Sequence, residues 1–489
     1  ISDRLRSSEL KYRDYVSEAN DQQQSMLSII AHLREQLRAS DGQQMSAASV
    51  EELMARVKEL EGMLHKDSHN SHKPPGSNEF KKIKNSRTKG EHSQGGQPGN
   101  EGTTLKMVKH PDKRVRCKAQ GKCLCGTSLD DLSVMRIEKR QEFDMPPKLI
   151  EVTEYEVEVK VCSCGLEHYA GCPVNAPVQY GKRLQSLAVG MNQYQMIPFE
   201  RLQEFFRDYF NVSVSDWWLS KTNQVCYENL APAEEGIKQA LISSAVLHSD
   251  ETGLRSDGKR QWVHVASTTT HTHYDIHEKR GKEAMDAIGI LPHFTGNSVH
   301  DRYGSYEKYE HCTHSNCNAH HLRDLQYIEE EMGRKWAKRM KRFLIWSNHL
   351  KKQDQLEDAF ISVLSQQYDA ILNKAILEEP AELSVQSIKR GRKAKNKSRR
   401  LIETMQQKKE QTLRFLYDPK VPFDNNLAER DLRMIKVKQK ISGCFRTFKG
   451  AQVFCRIRSY ISTVKKQGYN VLDAIVLALN KQPYFALAP

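Results

Sequence analysis

The sequence predicts a multidomain α+β protein: an N-terminal coiled coil, a small zinc-binding β module, a helical DNA-binding region, and an α/β catalytic core interrupted by a helical insertion. Three observations predict it. An apolar seam at steps of three and four opens the chain, two cysteine pairs flank an alternating run, and a later series of short strands twice ends in an aspartate. The 489 residues allow about three or four domains. Lys and Arg total 75 against 61 Asp and Glu, and the surplus of +14 points to a polyanionic partner. No apolar run reaches the roughly 18–20 residues of a membrane helix. No apolar leader opens the chain, so the expectation is a cytoplasmic protein with no membrane partner. Eleven cysteines are too sparse for a secreted disulfide scaffold and fit reduced thiols or metal ligands.

Residues 1–66 carry the seam Val50, Leu53, Val57, Leu60 and Leu64, preceded by Met26, Ile30, Leu33 and Leu37. Few other apolar residues surround it, so it predicts coiled-coil self-association, a homo-oligomer such as a dimer, over an amphipathic helix packed on its own chain. In residues 67–104, Pro74-Pro75-Gly76 and Gly95-Gly96-Gln97-Pro98-Gly99 stop any element and mark a flexible basic linker. Residues 105–175 hold Cys123-Leu124-Cys125-Gly126 and Cys162-Ser163-Cys164-Gly165. Between them Val152, Tyr155, Val157, Val159 and Val161 alternate as a strand does. Four thiolates at turn spacing predict a structural Zn²⁺ on Cys123, Cys125, Cys162 and Cys164, with Cys117 or Cys172 as a substitute ligand and unligated cysteines as the bland alternative. Residues 176–240 read as helical. A helix from Pro198 to Tyr209, a turn at Phe210-Asn211-Val212, an N-cap at Ser213 or Ser215 and a second helix with Trp217, Trp218 and Leu219 make a helix-turn-helix-like DNA-binding region or a plain helical hairpin.

Residues 241–325 form the first part of the core. Ala245-Val246-Leu247 leads a strand to Asp250, Ser256-Asp257-Gly258-Lys259 signals a hairpin, and Gln261–Ser267 and His271–His277 supply two further strands. A helix over Gly281–Ile288 and a strand over Asn297–Asp301 follow. Three meandering strands, a crossover helix and a fourth strand open a ribonuclease-H-like sheet. In that topology the first and fourth strands are neighbours, so Asp250 and Asp301 converge. A third acid, Glu429, stands 128 residues beyond Asp301, in a helix opened by Pro422-Phe423-Asp424-Asn425-Asn426. Residues 326–415 between them are a basic helical insertion, and residues 416–489 complete the core. Each acid has a bland reading. Glu251 is a rival on the opposite strand face, Asp301 can cap the next turn, and Asn426–Glu429 has the spacing of a capping box.

Other polar clusters are read similarly. His248 and His300 adjoin the acids and are expected to orient carboxylates or meet phosphate. His311, Cys312, His314, Cys317, His320 and His321 are dense enough for a second transition-metal site, although a structural role at the next helix start is preferred. From Lys389 to Arg400 there are eight basic residues and no acid, so Arg390, Arg392, Lys393, Lys395, Lys397, Arg399 and Arg400 are candidate DNA contacts, with a solvated loop as the alternative. Val453, Phe454, Ile457, Ile461 and Val464 form a core stripe that leaves Arg456 and Arg458 available to phosphate.

Longer segments carry a resemblance. His248-Ser249-Asp250-Glu251-Thr252-Gly253-Leu254, Val299-His300-Asp301-Arg302-Tyr303-Gly304-Ser305-Tyr306, Cys317-Asn318-Ala319-His320-His321-Leu322-Arg323-Asp324-Leu325 and Asp424-Asn425-Asn426-Leu427-Ala428-Glu429-Arg430-Asp431-Leu432-Arg433 resemble the signatures of bacterial insertion-sequence 66 family transposases. So do the Gly95–Gly99 segment, the knuckles and the run Lys436–Arg446, in the family's order. The knuckles are C-x-C where the family has C-x-x-C, and Arg390-Gly391-Arg392-Lys393 stands where it has Arg-Gly-Arg-Pro. The resemblance implies a nucleoid-associated DDE transposase that acts on terminal repeats and target DNA, with accessory proteins of the same element as further partners. Its catalytic acids would be Asp250, Asp301 and Glu429, holding two Mg²⁺ or Mn²⁺ ions about 4 Å apart for in-line transfer to a 3′-hydroxyl. The alternatives are a transposase-derived DNA-binding protein without catalysis and, last, a zinc hydrolase built on the histidine cluster.

Overall fold

The computed structural model describes residues 105–484 except 126–127, 131–132, 147–148, 354–355 and 380–395, together with isolated positions between 28 and 70. The chain divides into two compact units, one of residues 85–175 with 205–212 and the other of the remaining residues.

In the smaller unit, β1 (Val159–Val161) pairs antiparallel with β2 (Glu167–Tyr169), Val159 opposite Tyr169. The Cys162–Gly165 knuckle is the tip of this hairpin. Cys162 N–H donates to Leu166 O and Gly165 N–H to Cys162 O, with Gly165 at φ +86°, where a side chain would be strained. The Cys123 knuckle sits in a similar closure, with Lys122 bridged to Ser128 and Leu129 N–H on Gly121 O. Alternation predicted a strand from Val152, but Val152, Tyr155 and Val157 are exposed and lie outside any strand. A strand needs a partner ladder as well as an alternating pattern, and β2 supplies only three residues of one.

Most of the N-terminal seam (Met26, Ile30, Leu33, Leu37, Val50, Leu53 and Leu64) and nearly all of the 67–104 linker lie outside the described residues. Val57 and Leu60 are described and buried. A Cβ at Gly62 would come within 3.2 Å of Tyr327 and Glu331, so Gly62 lies against a helix of the same chain.

The larger unit holds α1 (Lys182–Val189), the first half of α2 (Phe199–Phe210), α3 (Asp216–Asn229) and α4 (Ala231–Ile242). Ser215 is the N-cap of α3 and accepts the Trp218 N–H at 3.2 Å. The sheet follows: β3 (Val246–Ser256), β4 (Lys259–Ser267), β5 (Thr272–His277), α5 (Lys282–Ile288), β6 (Asn297–His300) and β7 (Thr313–Asn316). Its order is β5-β4-β3-β6-β7. The first three strands are antiparallel neighbours, whereas β6 and β7 run parallel to β3. The β3–β4 turn is the predicted one: Asp257 and Gly258 both have positive φ, the two-residue geometry that matches strand twist. Then come α6 (Asn318–Met332), α7 (Lys335–Lys352), α8 (Asp358–Glu378), α9 (Lys397–Gln407), α10 (Lys409–Tyr417), α11 (Asn426–Ser442), α12 (Phe448–Lys466) and α13 (Val471–Leu479).

Strand alternation sends Val263, Val265, Tyr274 and Ile276 to one face, where Leu432 and Ile435 of α11 and Phe454 of α12 cover them. Leu247 and Ala266 on the other face meet Ile237 and Leu241 of α4 and Met285 and Ile288 of α5. The helices of the insertion pack around Trp336, Met340, Leu344, Tyr368, Leu372 and Ile402 in a cluster that extends to Val299 of β6. The α12 stripe is buried as expected. Arg456 and Arg458 are not available to phosphate: Arg456 pairs with Glu234 at 2.7 Å and Arg458, 5% exposed, donates to Tyr194 O. Both extend along a packed helix face where a charge needs an internal partner. Among the described residues no helix is long and apolar enough to cross a membrane.

Candidate active site

The site forms where the middle of β3 passes the carboxyl end of β6. Val246, Leu247 and His248 pair in parallel with Asn297, Ser298 and Val299. Continuing that register by two residues sets Asp250 beside Asp301. Gly296 makes the alignment possible. A Cβ there would lie 2.6 Å from Ala245 O, while the next amide, Asn297 N–H, donates to that same oxygen at 2.9 Å.

Asp250 is partly buried and its carboxylate accepts the Glu251 N–H at 2.8 Å. Burial, then the charges of Glu251, Asp301 and Glu429, hold its carboxyl well above the usual carboxylate range. Asp301 is fixed by accepting the Tyr303 N–H at 2.9 Å. Glu251 has a different task. Its buried carboxylate takes the Arg280 guanidinium at 2.7 Å and the Tyr306 hydroxyl, and Arg280 in turn lies over the Trp262 and Tyr303 rings. That network separates Glu251 in role from its neighbour, as strand alternation predicts.

Glu429 stands in the first turn of α11. The N-cap is Asn425 rather than Asn426, and Asn425 makes no side-chain capping bond, so the predicted capping box does not form. Its amide is spent elsewhere. Asn425 Nδ2 donates to Ser249 O at 2.8 Å, which turns Oδ1 towards His248 Nδ1, also at 2.8 Å, and gives that nitrogen the proton. The buried Asn425 therefore ties the start of α11 to the two residues just before Asp250. Two residues past Glu429, Asp431 accepts from Lys466 at 2.8 Å, from Ser267 at 2.5 Å and from Thr272 at 3.1 Å, anchoring α11 to β4 and β5. Sequence reasoning missed Asn425 as a positioning residue. Its one sequence signal was its place in the Asp424-Asn425-Asn426 segment. Asn425→Ala would strand the Ser249 carbonyl and the His248 N–H, and should cost about 3 kcal/mol. A lower urea midpoint with an unchanged slope is the expected reading; a midpoint like the parent's would remove Asn425 from this role.

The predicted histidine roles are revised. His248 fastens Asn425 rather than a carboxylate. His300 is fully buried, stacked on Tyr306 with centroids 4.6 Å apart and bonded through Nε2 to His314 Nδ1 at 2.9 Å, and burial pushes it down to about 3. His311 bonds Leu291 O and His314 bonds Tyr309 O. Of the predicted histidine–cysteine cluster, only Cys317 and His320 enter a ligand set, and its third member is Glu429. Their ligand atoms lie within 4.8 Å of one another, the one such group of three or more among the described residues. It follows that no three of the sulfurs of Cys123, Cys125, Cys162 and Cys164 are drawn together; all four are exposed.

Arg390, Arg392, Lys393 and Lys395 lie outside the described residues. Lys397 pairs with Asp324 at 3.3 Å and lies over the Tyr327 ring, and Arg399 pairs with Glu403 at 3.3 Å and donates to Glu379 O. Arg400 is exposed.

Residues 177–453 match the family described as Transposase IS66 family. The chain belongs to the IS66 transposase family. The matched span holds the whole sheet, the insertion and all three acids. Residues 17–106 match a family of unknown function, DUF6444, which covers much of the segment expected to hold the coiled coil and linker. No curated protein matches the chain.

Proposed function

We propose that this IS66-family transposase cleaves DNA at the ends of its element and joins the resulting 3′-hydroxyl to target DNA by in-line phosphoryl transfer. The reading rests chiefly on the β3–β6 register, which sets Asp250 beside Asp301 between two interior strands of the sheet; the order β5-β4-β3-β6-β7, with β6 and β7 parallel to β3, supports a ribonuclease-H-like reading. The residues fit a hard divalent cation. Asp250 stands beside Asp301 in the strand register, burial and the neighbouring carboxylates, Glu429 among them, make it resist ionisation, and Oε1 of Glu429 is buried without a hydrogen bond. Asp250, Asp301 and Glu429 would hold Mg²⁺ or Mn²⁺, two ions in all, which when bound supply Lewis-acid stabilisation of the attacking and leaving oxygens.

The chain's own groups do the rest. Asn425 and Asp431 fix the start of α11, which carries Glu429, against β3, β4 and β5. Glu251 holds Arg280 at the rim, where a 39% exposed guanidinium stacked on aromatic rings can meet a strand phosphate. The test is purified full-length protein, Mg²⁺ and DNA carrying the element ends. Nicks with 3′-hydroxyl termini and joined products are expected. Binding without cleavage in either Mg²⁺ or Mn²⁺ would leave the non-catalytic DNA-binding reading.

Two further assignments belong to this reading. The chemistry of four thiols at two glycine-bearing turns fits a structural zinc on Cys123, Cys125, Cys162 and Cys164. Cys162→Ser should lower the zinc content of the chelator-free protein by about one equivalent per chain; an unchanged content would leave these as unligated thiols. Of the basic run, Lys397 and Arg399 already have internal partners, so Arg390, Arg392, Lys393 and Lys395 are the better DNA contacts. Neutralising those four should weaken DNA binding and flatten its salt dependence, by about 0.9 in the log–log slope for each phosphate that no longer meets a cationic side chain. An unaltered slope would make the run a solvated loop.

A further inference from the structure

We propose that Cys317, His320 and Glu429 form a binding site for a thiophilic divalent cation of the zinc class, and that this ion competes with catalytic magnesium for Glu429. The competition rests on the role assigned to Glu429 above; the site itself does not.

Cys317 is the N-cap of α6 and His320 lies in its first turn, three residues on, so both side chains rise on one helix face. Glu429 comes from the first turn of α11. The two helix starts are bound together: Asn318 N–H donates to Phe423 O at 3.1 Å, and Asn425 N–H to Cys317 Sγ at 3.1 Å. Three donors on two mutually fixed helix starts form a built arrangement rather than a chance surface cluster.

The distances suit a small cation. All three donor atoms lie within 4.8 Å of one another, and His320 Nδ1 is 3.9 Å from Glu429 Oε1. Tetrahedral zinc bonds of about 2.0–2.3 Å place ligand atoms about 3.3–3.8 Å apart. Closing the site therefore takes side-chain adjustment of about 1 Å and no backbone change. The oxygens of Glu429 are divided between two directions. Oε2 faces Arg323 at 3.7 Å, whereas Oε1 is buried and accepts no hydrogen bond, so a cation on Oε1 would supply its missing partner.

Donor chemistry selects the ion. One sulfur, one imidazole nitrogen and one carboxylate oxygen make a borderline-soft set, which zinc accepts. Magnesium prefers oxygen ligands and retains waters. A thiolate and a carboxylate balance the charge of a divalent ion, and three protein ligands leave a fourth position for water. An ion held there engages the carboxylate that the aspartates need. Magnesium should then support cleavage and zinc should suppress it.

The test uses the full-length chain carrying Cys123→Ser, Cys125→Ser, Cys162→Ser and Cys164→Ser, so that the exposed knuckles take no metal. Co²⁺ titrated into this protein should give one equivalent of thiolate-to-cobalt charge-transfer absorption. The band should vanish on adding Cys317→Ser, and cobalt should bind at least about tenfold more weakly with His320→Ala. Circular dichroism melting checks that both variants fold, and if Cys317→Ser does not, the His320→Ala affinity decides. No band, or a band and affinity indifferent to these substitutions, would overturn the site. In Mg²⁺-dependent nicking, each protein is compared with its own zinc-free rate. The half-inhibiting Zn²⁺ concentration should rise at least about tenfold with Cys317→Ser or His320→Ala; equal zinc sensitivity would overturn the competition. Cobalt absorption does not depend on cleavage, so a protein that shows the band but never nicks fails the transposase chemistry and retains the metal site.

Discussion

Asp250→Asn is expected to remove Mg²⁺-dependent nicking while leaving the metal-free protein as stable as the parent or more so. The carboxyl of Asp250 is held well above the usual range by burial first, then by Glu251, Asp301 and Glu429. In the unfolded chain it returns to about 3.9. The folded state therefore keeps a proton through the window between those two values. Stability falls as pH rises through that window, and the full penalty is present above it. Asparagine has the same shape and no charge to ionise, so the penalty disappears and the melting temperature at neutral pH should hold or rise. Magnesium reverses the balance. It should raise the melting temperature of the parent through binding and raise that of the variant less. Cleavage should drop about a thousandfold, equivalent to about 4 kcal/mol of transition-state stabilisation. Asp301→Asn should lose a similar amount. Nicking within about tenfold of the parent would remove Asp250 from the metal-binding set. A fall in melting temperature would mean that the lost activity reports misfolding.

Local signals carried most of the sheet. Turn chemistry at Asp257-Gly258 and alternation through Trp262, Val263 and Val265 gave β3 and β4, and the crossover helix led to a strand ending at Asp301. The adjacency of the first and fourth strands followed from topology, and β3 does pair with β6. Glu429 was legible only through its motif, since no local period links a helix start to a strand 179 residues earlier. What the sequence hid were partners chosen by tertiary packing. His248 reads locally as a group beside a catalytic acid, yet its partner Asn425 lies 177 residues away. Arg456 and Arg458 look like free cations on a helix, because Glu234 and Tyr194 reach them only once α4 and the turn after α1 have packed. The helix starts one residue before the capping-box spacing and forms no box for the same reason: Asn425 satisfies β3 instead of its own helix. The ligand set was half legible, in the one-turn spacing of Cys317 and His320; its third member needed the fold.

Glu429→Gln separates helix stability from catalysis. Glu429 lies beyond the third helical position, with its own N–H bonded to Asn425 O at 3.2 Å. Its carboxylate therefore does not close a capping box. What it gives the fold is a negative charge near a helix N-terminus, worth about 0.3–1 kcal/mol at most exposed sites, and a loose approach to Arg323 at 3.7 Å. Glutamine keeps the length, the helix propensity and the Oε1 position. Stability should accordingly change by less than about 1 kcal/mol. Glutamine cannot, however, serve as an anionic ligand to a hard cation. With metal neutralisation reduced, cleavage and strand transfer should fall by orders of magnitude, as for the two aspartates. Affinity for terminal DNA should be retained or rise, because one negative charge near phosphate has gone. Melting temperature, DNA affinity and nicking should be measured on the same preparation, with trace zinc removed so that occupancy of Cys317 and His320 does not mask the effect. Near-parent nicking would make Glu429 a helix-dipole residue, and the third carboxylate would have to be sought elsewhere around Asp250 and Asp301.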